Sequence, residues 1–323
     1  MLSTARGVAK SPHVKVFRAG LWKPRTRPGT FEGVGSVGLD WLAAVKSETG
    51  LMTTTEVANT EHVELCLRRK VDVLWIGART TVSPFSVQEI ANALRGVDIP
   101  VLVKNPINAD LGLWLGALER LRDAGIRKLA AIHRGFSTYV EMEFRNSPNW
   151  QIPIELKRQV PNLPLICDPS HISGKRELIE PISQMALDLS IRGLMIETHW
   201  RPDEALSDAR QQITPKTLCR LVERLHARDT AVTDRGLKRQ MAHLRAEISN
   251  VDAKIIQDLA ERMNWVEQIG QLKQLHNIAV LQLDRWEHLL EDHIARAEKA
   301  GLDPQFIKDI FEIIHAQAIK RQL

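Results

Sequence analysis

The sequence predicts an α/β barrel followed by an all-helical domain. Three observations carry this. Short apolar runs rich in Val, Ile and Leu alternate with amphipathic helical stretches over the first two thirds of the chain. Successive runs end in a charged or polar residue. Beyond about residue 240 no strand pattern occurs, and apolar residues recur every three or four positions. The 323 residues are the length of about two domains.

The runs fall at residues 14–19, 52–57, 73–78, 100–104, 129–133, 164–167 and 193–197, with helical stretches such as 84–94, 111–123, 152–159 and 178–190 between them. Continuous rather than alternating apolar character implies parallel strands buried on both faces. The run ends deliver Arg18 and the loop Lys23-Pro24-Arg25-Thr26, then Glu56, Arg79, Lys104, His133-Arg134, His171, and Glu197 with His199. Polar groups at every strand end are how a TIM-type (β/α)8 barrel builds a site on one face. A doubly wound sheet gathers its ligand groups at one switch point instead. No GxGxxG or GxxxxGK[ST] motif supports a nucleotide fold.

Residues 1–225 are the expected barrel, 226–240 a polar linker without periodicity, and 241–323 the helical domain. Leu244, Ile248, Val251, Ile255, Leu259, Met263, Val266, Ile269 and Leu272 describe a helix of about 35 to 40 residues. A helix that long must pack against a partner. Helices at 282–300 and 304–322 follow, separated by Gly301-Leu302-Asp303-Pro304, a glycine stop and an Asp-Pro restart. An intertwined dimer is expected.

Composition excludes several classes. The net charge of +5 is not gathered into a basic block, so no nucleic-acid partner is expected. No apolar run approaches the 18 or so residues of a membrane span. Three cysteines without CxxC spacing suit a reducing compartment, and a cytoplasmic location is expected. Residues 1–31 contain no acid but several Arg and Lys, a transit-peptide pattern. Because Arg18, Lys23 and Arg25 lie there, an active-site segment is the better reading.

Two kinds of group collect at the strand ends. Arg18, Lys23, Arg25, Arg79, Lys104 and Arg134 are a converging set of cations, suited to a small polyanion. Singly, each is more simply a solvated charge. His171, Glu197 and Asp208 are one imidazole and two carboxylates, donors for a divalent Mn, Fe, Co or Zn ion. Singly, the His is more simply a hydrogen-bonding residue and Asp208 a helix cap.

Phe17-Arg18-Ala19-Gly20 before Lys23-Pro24-Arg25-Thr26, Ile76-Gly77-Ala78-Arg79, Leu102-Val103-Lys104, His133-Arg134-Gly135, Asp168-Pro169-Ser170-His171, Met195-Ile196-Glu197 and Ala205-Leu206-Ser207-Asp208 resemble the type I 3-deoxy-D-arabino-heptulosonate 7-phosphate (DAHP) synthases, in the branch similar to 3-deoxy-D-manno-octulosonate 8-phosphate synthase. The resemblance implies condensation of phosphoenolpyruvate with erythrose 4-phosphate. It assigns Arg79, Lys104 and Arg134 to the phosphate of phosphoenolpyruvate, and Arg18 and Lys23 to its carboxylate end, with Lys23 also catalytic. It assigns Arg25 and Thr26 to erythrose 4-phosphate, and His171, Glu197 and Asp208 to the metal. The family's first strand, with a Gly-Pro-Cys-Ser type motif whose Cys is a fourth ligand, has no counterpart; Cys66, Cys167 and Cys219 do not match it. Seven barrel strands are therefore expected, in an N-terminally truncated or mis-started version of a complete enzyme.

On the long helix, Arg262 projects from the middle of the apolar stripe at 100° per residue, Lys273 shares its face, and Arg245 is turned about 100° away. A coiled-coil dimerisation module with tolerated basic residues is the plainer account. Leu244-Arg245-Ala246-Glu247-Ile248 with Asp252, Leu259-Ala260-Glu261-Arg262, Ile269-Gly270 with Lys273, and Ile319-Lys320-Arg321-Gln322 resemble the all-helical (AroQ-class), intertwined-dimer chorismate mutases. The resemblance implies that Arg262 and the other subunit's Arg245 grip the carboxylates of chorismate. Lys273 and Gln322 would then meet its ether oxygen on the way to prephenate. Gln282, Trp286 and Ala318 depart from a common version of the family, whereas Arg285 remains.

A bifunctional enzyme of aromatic biosynthesis is thus expected, with feedback of a mutase ligand on the barrel suggested by analogy. The alternatives are a mutase attached to an inactive barrel, and a non-catalytic regulatory dimer that binds chorismate or prephenate.

Overall fold

The computed structural model describes residues 1–23, 29–138, 143–229 and 231–323. The chain divides into two compact units, Met1–Thr230 and Ala231–Leu323.

The first unit contains strands β1 (Val16–Ala19), β2 (Met52–Val57), β3 (Val73–Ile76), β4 (Val101–Lys104), β5 (Leu129–His133), β6 (Leu165–Cys167) and β7 (Gly193–Leu194). They form one parallel sheet in sequence order, each strand bonded to the next. Six strand spacings would hold β1 about 29 Å from β7 in a flat sheet. The Arg18 guanidinium of β1 instead lies 2.8 Å from Glu197, three residues past β7. The sheet is therefore curled into a barrel wall.

Its outer face is covered by helices α1 (Leu2–Val8), α2 (Val37–Thr49), α3 (Thr60–Arg68), α4 (Ala78–Thr81), α5 (Pro84–Ala93), α6 (Leu111–Asp123), α7 (Gln151–Gln159), α8 (Pro169–Ser173), α9 (Ile179–Asp188) and α10 (Pro215–Arg224). Their starts are chemically marked. Asn59, Ser83, Asp110, Asp168 and Thr214 each accept a backbone N–H of the first turn through the side chain. Leu74, Ile76, Val101 and Val103 belong to the apolar core between sheet and helices. By the two-residue strand period, Trp75, Leu102 and Lys104 turn into the barrel. The register extends this inner row, pairing Glu56 with Trp75, Trp75 with Leu102, and Lys104 with Ile132.

The expected strands are present with shorter ends. The last holds two residues rather than five, because beyond Met195, whose N–H still bonds Cys167 of β6, the chain gives its hydrogen bonds elsewhere: the Glu197 N–H to Ser170 Oγ, and the His199 N–H to Ile213 O.

The second unit is α11 (Arg235–Leu275), α12 (Leu283–Lys299) and α13 (Pro304–Gln322). The 41-residue α11 begins inside the span expected to be linker, because Asp234 caps it by accepting the Leu237 N–H. Asp303 caps α13 in the same way. Where α11 and α13 cross, Gly270 lies so close to Gln322 that a Cβ would stand 3.0 Å from its Cα. Val266, Ala297 and Ala318 are buried, while Leu244, Ile248, Val251 and Ile255 on the N-terminal half of α11 are more than half exposed. No helix among the described residues is long and apolar enough to cross a membrane.

Candidate functional sites

At the inner end of the barrel strands, Asp168 is fully buried and organises the cations. It accepts Lys104 Nζ at 2.7 Å and lies 3.5 Å from Arg18. Its other partner is the His171 ring, with Nδ1 3.0 Å from Oδ1, and Asp168 also caps α8 by accepting the His171 N–H. Burial alone would raise the Asp168 carboxyl, yet it sits well below the ordinary range because the surrounding cations stabilise the anion. Burial lowers His171 against the pull of Asp168 and Glu197, and His171, Lys104 and Arg18 together hold Asp168 ionised. Burial likewise lowers Lys104, against the pull of Asp168.

Arg18 donates to Glu197 at 2.8 Å and to Met195 Sδ at 3.2 Å. Lys23 donates to Ser207 Oγ at 2.6 Å and stands 3.8 Å from Asp208. Arg134 is buried, donates to Asn146 Oδ1 at 2.8 Å, and has its backbone N–H on Asn105 Oδ1. Arg79, on α4 immediately after β3, is exposed. Its charge is felt by both Glu56 and Arg134. Arg18, Lys23, Arg79, Lys104 and Arg134 therefore share one end of the barrel; Arg25 and Thr26 lie outside the described residues.

Glu56 faces this cationic group. Burial pushes its carboxyl up to about 7, although Lys104, Arg18, Lys23 and Arg79 all pull it down. Gly77 makes room for it, since a Cβ there would collide with the Glu56 carboxylate.

The three expected metal donors are differently engaged. Glu197 accepts Arg18 and Gln211, Asp208 accepts Arg145 at 2.9 Å, and His171 points Nδ1 at Asp168. Among the described residues no three His, Cys, Asp or Glu side chains gather as a metal-binding group. The physical reason is that each carboxylate already closes on a guanidinium, which supplies the positive charge an ion would bring. As arranged, His171, Glu197 and Asp208 do not fit a divalent metal. The three thiols are free, and burial raises Cys66 to about 12 and Cys167 well above the ordinary value, so neither is a ready thiolate ligand.

Two other strand-end residues also lie apart from the site. His133 packs among Trp114, Phe136 and Trp150, and burial pushes its pKa down to about 3. His199 bonds locally to the Arg201 carbonyl. Conversely, sequence reasoning assigned no role to Asp168, Arg145 or Trp75. Asp168 carried a signal, as the capping residue of Asp168-Pro169-Ser170-His171. Trp75 carried one in its strand parity with Lys104 through Leu102. Arg145 lies in irregular chain, and no periodicity marks it.

In the helical unit, Arg262 is half-buried with Nη1 unpartnered, and burial lowers its pKa. Gln322 has a buried Oε1 with no partner, and Lys273 donates to the Val280 carbonyl at 2.6 Å. Burial beside Arg262 also lowers His293 and His315; His315 stacks on Trp286 at 3.8 Å between ring centroids. Arg245 and Arg285 are exposed. Seventeen residues of continuous helix separate Arg245 from Arg262, about 25 Å.

Comparison with known proteins agrees with both units. Residues 244–323 match the family model described as chorismate mutase type II. A phospho-2-dehydro-3-deoxyheptonate aldolase of Thermotoga maritima is 30% identical over 212 residues, covering 66% of this chain and 61% of that protein. A 2-dehydro-3-deoxyphosphooctonate aldolase of an Azoarcus species is 26% identical, covering 66% and 78%. The crystal structure of Thermotoga maritima DAHP synthase superposes with a TM-score of 0.60 at 28% identity, covering 69% of this chain and 63% of that one. The chain thus spans about three fifths of the Thermotoga relative. Residues 2–233 match the DAHP synthetase I family model, and with most of its length so matched the chain belongs to that family, carrying a type II chorismate mutase domain behind the barrel.

Proposed function

We propose that the chain is a bifunctional enzyme of aromatic biosynthesis, in which the barrel condenses phosphoenolpyruvate with erythrose 4-phosphate and the helical unit rearranges chorismate to prephenate. The observation that supports the barrel reading best is the surplus of positive charge around Asp168. Arg18, Lys23, Arg79, Lys104 and Arg134 form a site electrostatically complementary to a small phosphorylated acid. In this reading Lys104, Arg79 and Arg134 hold the phosphate, Arg18 and Lys23 the carboxylate, and Arg25 and Thr26 the second substrate. Condensation joins C3 of phosphoenolpyruvate to the aldehyde carbon while water adds at C2 and phosphate leaves. The chain's contribution is to fix the enol against the aldehyde and stabilise the anions throughout. Glu56, half protonated near neutrality, is suited to exchange a proton with a ligand oxygen.

The mutase reading is supported by the unpartnered Arg262 Nη1 and Gln322 Oε1, a donor and an acceptor left unsatisfied on neighbouring helices. The rearrangement is unimolecular, so holding a compact conformer and stabilising charge at the breaking C–O bond suffice. Arg245, about 25 Å along the same helix from Arg262, serves that site only from a second chain. That distance and the bare apolar face of Leu244, Ile248, Val251 and Ile255 support a homodimer. The free thiols suit a cytoplasmic location.

One observation favours a second reading, a mutase whose barrel binds but does not condense: Glu197 and Asp208 close on arginines. Two assays on the purified chain separate the readings. Loss of phosphoenolpyruvate only when erythrose 4-phosphate is present supports the bifunctional enzyme; chorismate loss without it supports the mutase alone; neither loss, with chorismate bound, points to a regulatory dimer. A divalent ion on His171, Glu197 and Asp208 requires Arg145 to release Asp208 and Arg18 to release Glu197. Arg145→Ala is therefore expected to tighten Mn²⁺ uptake by the chelator-treated chain about tenfold, read by calorimetry. Unchanged uptake would remove Arg145 as the competitor.

A further inference from the structure

Trp75 has no part in the roles assigned so far. It is the third residue of β3, turns into the barrel beside Glu56, and is 3% exposed. Two site cations lie over its ring, with Arg18 Cζ 4.9 Å and Lys104 Nζ 4.7 Å from the centroid. The same two cations share Asp168, at 3.5 and 2.7 Å. Like charges brought together repel, and Asp168 is a single anion. Arg18 also has Glu197, but the negative face of the indole is a counter-surface common to both cations that, unlike a carboxylate, does not titrate and does not attract a proton from the ligand.

The Trp75 Nε1–H is buried and has no hydrogen-bond partner. Buried indoles normally find an acceptor, and a donor left unmade costs free energy that a phenylalanine at the same place would not incur. With Arg18 and Lys104 both against the ring, the acceptor whose chemistry fits is an oxygen of an anionic ligand drawn by the same cations.

We propose that Trp75 is a binding and positioning residue of the phosphoenolpyruvate subsite, holding Arg18 and Lys104 in place through its ring and donating its Nε1–H to an oxygen of the bound anion. This rests on the reading of the barrel as a phosphoenolpyruvate site. It predicts a specific ordering of variants. Trp75→Phe keeps an aromatic face and loses the N–H, whereas Trp75→Leu loses both.

The test is calorimetric titration of the full-length chain with phosphoenolpyruvate, so the readout does not depend on turnover. Phosphoenolpyruvate binding is expected to weaken about fivefold in Trp75→Phe and about fiftyfold in Trp75→Leu, the difference between losing one contact and losing both. In the turnover assay the KM for phosphoenolpyruvate rises in that order, while the KM for erythrose 4-phosphate stays within about twofold. Partial rescue by the aromatic variant is the signature that a merely structural role would not give. Binding within twofold of wild type in Trp75→Leu overturns the proposal. So does Trp75→Phe losing affinity for both substrates together with thermal stability, which would make Trp75 a packing residue. If the wild-type chain itself binds no phosphoenolpyruvate, the reading of the barrel fails, and the subsite assigned to Trp75 fails with it, before any variant is compared.

Discussion

Glu56 is the residue whose chemistry depends most on its surroundings. It sits among four cations, yet burial outweighs them and leaves its carboxyl at about 7. A carboxyl raised from 4.5 to about 7 binds its proton more tightly in the folded than in the unfolded chain. Stability of the first unit should therefore fall as pH rises from about 4.5 to about 7 and level off above. Glu56→Gln removes the ionisation, so it is expected to stabilise the chain at pH 8, by up to ~3 kcal/mol. Near pH 4.5 it should change little. Urea denaturation of both proteins at the two pH values checks this, and equal shifts at both would show that Glu56 is not the titrating group. The same substitution takes a negative charge out of an anion site, so phosphoenolpyruvate affinity should rise in Glu56→Gln above pH 7.

At the scale of elements, the boundaries are set by local hydrogen bonds that a pattern of apolar residues does not contain. The long helix α11 starts at Arg235 because Asp234 accepts the Leu237 N–H, although residues 226–240 have no periodicity. The start of α13 is legible, since Asp303-Pro304 places a side-chain acceptor at the cap and a ring at the first helical position. Asp303→Ala is expected to cost about 1 kcal/mol, seen as a lower midpoint in thermal unfolding of the helical unit. An unchanged midpoint would mean that the cap's hydrogen bond is replaced by water. Strand β7 is short for the opposite reason. Residues 195–197 have the right composition, and the Met195 N–H still bonds Cys167 of β6, but the Glu197 N–H goes to Ser170 Oγ and its carbonyl accepts the Ile213 N–H rather than extending the strand.

At the scale of the whole molecule, a dimer makes a prediction that a monomer cannot. If each mutase site takes Arg262 from one chain and Arg245 from the other, chains carrying Arg245→Ala and chains carrying Arg262→Ala are each inactive alone. Unfolded and refolded together, half of the dimers are mixed, and each mixed dimer holds one intact site and one doubly altered one. Chorismate turnover should then recover to about a quarter of the wild-type value. Activity retained in Arg245→Ala alone would place Arg245 outside the site, and no recovery on mixing would mean that the two arginines of a site do not come from different chains.

The sequence by itself determined the succession of parallel strands, the helical second unit, and the cations and carboxylates at the strand ends. These follow from short-range period and composition, which act within a few residues. Only the tertiary structure decided which of those groups meet. Asp168, not prominent as a charge, became the shared partner of Lys104 and Arg18 because β4 and β1 bring them to the end of β6, while His171 meets it locally on α8. Glu197 and Asp208, legible as donors, closed on Arg18 and Arg145, whose distance from them along the chain runs up to 179 residues. His133 turned outward among aromatic rings by one step of strand parity. Electrostatic pairing falls off with distance in space rather than along the sequence, so the ionisable residues were visible in the sequence but their partners and their charge states were not.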